Sequence, residues 1–179
     1  MDPDEPASST STIPDDPVPR WLRAERRIRR FSMTLMILVV VGAAFGLLGV
    51  WTGTASASQR GYTLEVEHAR VSRGGLATPF SITVIADEGS LPEAVTLRLD
   101  SGYLAMFDEN GLDPEPVSTF SDGQHLMWTF DVPAGNQRLT VDFDARLEPS
   151  AQWGKSATVA VVDDDQVLVS VDYMTVVVP

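Results

Sequence analysis

One uninterrupted apolar run, Phe31 to Trp51 (FSMTLMILVVVGAAFGLLGVW), constrains this chain more than any other feature. It holds no charged residue and only two hydroxyls, Ser32 and Thr34, both near its start. As an α-helix it would be roughly 31 Å long, which matches a bilayer hydrocarbon core of about 30 Å. A helix also satisfies its own backbone hydrogen bonds, as lipid requires. A transmembrane helix over 31–51 is therefore expected. It would contact the lipid bilayer directly and separate a short N-terminal segment from a C-terminal domain.

The flanks set the direction. Residues 1–20 are rich in Pro, Ser, Thr and Asp and poor in large apolar groups. Such a segment cannot offset its ordering entropy by burial, so a disordered cytoplasmic tail is expected. Residues 21–30, WLRAERRIRR, form a basic juxtamembrane segment with five arginines directly before the apolar run. Basic residues beside a span stay on the cytoplasmic side, so the N-terminus is placed inside and the C-terminal domain outside. Trp21 and Trp51 bracket the span, as interfacial aromatics do. Arg29–Arg30–Phe31 has a faint look of a twin-arginine signal, but topology is the simpler reading. Residues 52–60 read as a linker. Within it, Ala55-x-Ala57 matches the small-residue pattern of a signal-peptidase site. The apolar run is longer than the 7–15 residues of a cleavable signal, so an uncleaved anchor is expected.

Charge excludes several partners. The net charge is −12, and residues 1–30 contribute nothing to it, since six arginines balance six acids there. The exported part is strongly acidic, opposite to what nucleic-acid binding needs. There is no cysteine, which removes disulfides, thiolate metal sites and thiol nucleophiles.

Beyond Gly61 the pattern alternates with a period of two, the mark of half-buried strands. Strands are expected at Tyr62–His68, Phe80–Ala86, Ala94–Leu99, Leu126–Val132, Leu139–Ala145, Ser156–Val162 and Val167–Val178. Turn residues separate them, and no helical period intervenes. An all-β, immunoglobulin-like antiparallel β-sandwich over 61–179 is expected, with Trp128 or Trp153 as the core tryptophan.

The segment Ser101–Gly123 breaks the pattern and reads as a long loop, the place for a site. Its acidic part, residues 108–115, offers Asp108, Glu109, Asn110, Asp113 and Glu115 as calcium candidates, because calcium takes six to eight oxygens. The spacing is not that of an EF-hand, and a solvated loop turning at Asn110–Gly111 is the plainer reading. Asp163–Asp165 reads as a solvated turn. His68 and His125 are the only histidines and are expected at surface strand ends. No G-x-S-x-G elbow or Gly-rich phosphate loop occurs. No catalytic residue and no cofactor are expected. Among the aromatics Tyr103, Phe107, Phe120, Trp128, Trp153 and Tyr173, partner contacts are expected from Tyr103, Phe107 and Trp153.

The stretches YLAMFDENGLDPEP (Tyr103 to Pro116), WTFDVPAG (Trp128 to Gly135), DARLEPSAQWG (Asp144 to Gly154) and VSVDYMTVVVP (Val169 to Pro179) resemble a group of small actinobacterial single-pass membrane proteins with an exported β-domain. The resemblance implies an envelope location in a high-GC Gram-positive bacterium and brings no catalytic residues. The reading as a whole is a non-catalytic, membrane-anchored interaction module that binds another membrane or envelope protein. The alternative is an ion or ligand sensor using the acidic loop.

Overall fold

A computed structural model describes residues 20–44, 49–149, 154–164 and 166–178. The expected disordered tail and the site suspected at Trp153 lie outside the described residues. The chain divides into two units, 1–48 and 49–179.

Among its described residues the first unit contains one helix, α1, Arg20–Ala44. Side chains from Phe31 to Val41 are exposed all around it, including Phe31, Met36, Leu38 and Val40. The apolar part of α1, 31–44, would be about 21 Å long, short of a hydrocarbon core. No helix among the described residues is long and apolar enough to cross a membrane. Residues 45–48 of the expected span lie outside the described residues. Trp51, expected as the end of the span, instead opens a strand.

Among its described residues the second unit is all-β apart from one helical turn. Its strands are β1 Trp51–Gln59, β2 Tyr62–Arg73, β3 Ala77–Ala86, β4 Ala94–Asp100, β5 Phe107–Asp113, β6 Ser118–Ser121, β7 His125–Asp131, β8 Arg138–Leu147, β9 Lys155–Asp163 and β10 Gln166–Val178. The helical turn α2, Ser101–Leu104, follows β4 and is capped by Asp100, whose carboxylate accepts from the Tyr103 N–H. All ten strands belong to one curled sheet. One half runs β1–β2–β3–β8–β5 and the other β10–β9–β4–β7–β6. They join where Val176–Val178 of β10 pairs with Val71–Arg73 of β2. That pairing is parallel. The expected wholly antiparallel arrangement is thus corrected to a mixed sheet: both strands run toward the same end of the unit before they meet.

The two halves share one core. β8 shows why: Leu139, Val141, Phe143, Ala145 and Leu147 are buried, while Thr140, Asp142, Asp144 and Arg146 alternate outward. Leu64 and Val66, Ile82 and Val84, Leu97 and Leu99, and Val159 and Val161 supply the inward faces of β2, β3, β4 and β9. Phe80 sits at the centre of an aromatic cluster, with ring centroids 5.5 Å from Phe143, 5.8 Å from Tyr103, 6.0 Å from Tyr173 and 6.2 Å from Phe107. Trp128, 2 % exposed, is a core tryptophan.

Three strands fall where the sequence suggested none. The supposed linker is β1, paired along its length with β2, so Ala55 and Ala57 pack against the core. The supposed acidic loop is largely β5, paired with β8. The third is β6, the last strand of its half.

Candidate functional site: the open edge at β6

The expected partner contacts change first. Tyr103 and Phe107 are 2 % and 6 % exposed, so neither is a surface anchor. Phe107 opens a strand whose side chains alternate between faces, and its ring meets Phe80 and Tyr103 in the core. Tyr103 is drawn inward by α2. The Thr175 hydroxyl donates to the Ala69 carbonyl at 2.7 Å, so the Tyr103 hydroxyl, 2.9 Å away, donates to Thr175. Burial pushes the Tyr103 phenol up to about 12, and burial likewise raises Tyr173.

The acidic segment does not converge. Asp108 and Asp113 sit near opposite ends of β5, opposite Arg146 and Asp142 of β8. A bulge falls between Glu109 and Gly111, where a turn at Asn110–Gly111 was expected. Glu115 lies beyond the strand. An extended strand spreads carboxylates along its length and onto both faces. Among the described residues no group of three or more His, Asp or Glu comes together to hold a metal.

His68, expected at the surface, is 4 % exposed in mid-strand. Its ring centroid lies 4.8 Å from that of Tyr173. Burial depresses its pKa, with a smaller contribution from Arg70. The unfolded chain therefore takes up the His68 proton more readily than the folded one. The domain is expected to lose stability as pH falls below the ordinary histidine value. A His68→Phe variant, which preserves an aromatic contact to Tyr173, should show a shallower fall in Tm between about pH 7 and about pH 5. Parallel falls for both proteins would refute this.

The surface feature that stands out is β6. Strand edges carry unpaired backbone groups, and proteins usually blunt them with charge, proline, bulges or short length. The β5 edge has a bulge and acids. β6, by contrast, reads Ser118-Thr119-Phe120-Ser121, with no charge or proline, and is exposed throughout. Val117, 58 % exposed, precedes it, and Phe120 is 61 % exposed. Phe120 lies opposite half-buried Met127, which in turn lies opposite Arg98, so an apolar pair at the edge is bordered by a cation. Only its shortness protects β6.

The hairpin joining β6 to β7 holds this edge in place. One Asp122 carboxylate oxygen accepts from the N–H groups of Gln124 at 2.8 Å and His125 at 2.6 Å. The other lies 3.1 Å from His125 Nδ1. Hydrogen bonds from His125, then from Gln124, hold the Asp122 carboxyl down to about 2. Gly123 has φ 90°, a conformation that favours glycine. The signal in the sequence was one large apolar residue among hydroxyls, Ser-Thr-Phe-Ser, beside the turn Asp122–Gly123. A scan against protein-family models matches no family, and a search of curated proteins finds no match.

Proposed function

We propose that this chain is a membrane-anchored, non-catalytic interaction module. Its all-β domain is an immunoglobulin-like sandwich held outside the cytoplasmic membrane, and it binds another membrane or envelope protein along β6. The observation that carries this reading is the uncharged, exposed edge Ser118–Ser121 with Phe120 beside it. An added strand would take its affinity from main-chain hydrogen bonds and its specificity from side-chain pockets, and Phe120 is the aromatic anchor such a contact uses. The sandwich is supported by two five-stranded halves closing over one core.

Anchoring draws support from α1, whose apolar residues are exposed on every side. A helix that is apolar all round belongs in a core or in lipid. Retention of the anchor draws support from β1. Cleavage after Ala57 would remove most of a strand that is paired with β2 from Trp51 to Gln59.

A photo-crosslinking residue at position 120, introduced into the full chain in intact cells, tests the contact. A discrete adduct with a membrane or envelope protein is expected from position 120. No such adduct is expected from position 142, on the outer face of the opposite half. Equal adducts from both positions, or none from position 120, would contradict the reading.

A further inference from the structure

We infer that the cleft between the ends of β4 and β9 binds a small organic cation with an apolar body. This cleft has a volume of about 330 Å³, within the range of small-molecule sites. At the roughly 30 Å³ that one water occupies in the liquid, it holds about eleven water-sized groups, room for one ring with a short chain.

The backbone explains why the cleft is there. β4 pairs with β9 only from Thr96 to Leu99, opposite Val162 to Val159. Ala94 and Val95 extend beyond the last partner, because β9 turns away at Asp164, whose φ is 43°. On the other side, the pairing of β9 with β10 slips between Val167 and Val169. The strands therefore part at this end. Buried Val84, Val95 and Val161 and half-buried Leu168 form the apolar lining, drawn from both halves of the sheet.

Charge selects the occupant. Exposed Asp163 and Asp164 line the mouth. An adjoining hollow, which shares Tyr62, adds Asp87 and Glu88 and one cation, Arg60. Arg60 Nη1 donates to the Val167 carbonyl at 2.9 Å. Two carboxylates at the mouth, with two more against one guanidinium in the adjoining hollow, give this end of the unit a negative potential, and low-dielectric walls focus it. An apolar body fills the lining while an ammonium group stays at the wet mouth. An anion of the same shape meets repulsion there. The cleft has a size suited to a small molecule, so a basic protein segment is not the occupant argued for.

The test uses the full chain in nanodiscs of zwitterionic lipid, with three probes of one shape: phenylbutylamine, phenylbutanol and phenylbutyrate. Valine and leucine methyl NMR signals report occupancy. The amine is expected to shift the methyls of Val84, Val161 and Leu168 saturably, and to bind about tenfold more tightly than phenylbutyrate. The double variant Asp163→Asn, Asp164→Asn should lower amine binding toward the level of the alcohol, since Asp87 and Glu88 remain against Arg60, and leave alcohol binding unchanged. Asparagine tolerates the positive φ at position 164, so the variant keeps its turn. Adsorption of the amine to lipid is the same for both proteins and cancels from the comparison. Equal shifts by amine and phenylbutyrate, unmoved methyls at millimolar amine, or an unchanged amine-to-alcohol ratio in the variant would overturn the inference. The reporting methyls lie on β3, β9 and β10, so failure here leaves the β6 contact standing, and failure of the crosslink leaves this site standing.

Discussion

Replacing Phe80 with alanine is expected to cost about 3–5 kcal/mol, the usual range for deleting a buried aromatic ring. Phe80 is 2 % exposed and touches rings from both halves of the sheet and from the segment after β4. Removing it leaves a cavity whose walls are four aromatic rings, each fixed by its own strand or turn. Such a site collapses poorly, which places the loss toward the upper end of the range. A domain of this size has a total stability of roughly 5–15 kcal/mol, so the variant retains little margin. Thermal melting of the full chain should show a Tm lower by on the order of 10 °C or more. Phe120→Ala supplies the contrast. Its ring is largely in solvent, and the change should stay within about 0.5 kcal/mol of the parent. Similar Tm values for the two variants would refute the assignment of Phe80 as the centre of the core.

A chain that begins at Ser58 is expected to be the second most damaged form. It lacks Trp51 to Ala57, which pair with Val71 to Leu64. Each lost ladder hydrogen bond costs about 0.5–1.5 kcal/mol, and the loss of Ala55 and Ala57 uncovers part of the core. It also exposes the long edge of β2, a template for aggregation. The truncated form should melt on the order of 10 °C below a form that begins at Gly49, and it should associate at concentrations where the longer form does not. Equal melting would mean that β1 is dispensable and that cleavage after Ala57 costs the domain nothing.

Much of this fold is readable from alternation alone. β8 displays it most plainly, because Leu139, Val141, Phe143 and Ala145 alternate with Thr140, Asp142 and Asp144, and the side-chain period of a strand is two. β2, β3, β4, β7, β9 and β10 also fall where apolar alternation puts them. β1 was hidden because its inward residues are Gly53, Ala55 and Ala57. The period is present, but residues this small carry almost no hydrophobic signal. β5 was hidden by its acids: Asp108 and Asp113 suggest a solvated loop, yet pairing with β8 does not depend on side-chain polarity. β6 is four residues long, below the length at which periodicity decides anything.

The candidate site was legible only in part. Ser101–Gly123, which reads as a loop, contains the candidate edge strand β6. Tyr103 and Phe107 look like surface anchors as long as the segment reads as loop, because a loop gives no rule for which ring turns inward. Strand pairing supplies that rule: Phe107 turns to the core and Phe120 does not. The cleft could not be read at all. It depends on where β4 and β9 stop pairing, and the residues beside it, such as Val95 and Val161, look in sequence like ordinary core valines.

Membrane anchoring is tested by fractionating cells that express the full chain with a C-terminal tag and sequencing the N-terminus of the tagged product. A full-length product of 19.4 kDa plus the tag is expected in the membrane, with the tag accessible from outside intact cells. A tagged product that begins at Ser58 and is released into the medium would contradict it, as would a full-length product whose tag is reached only after lysis.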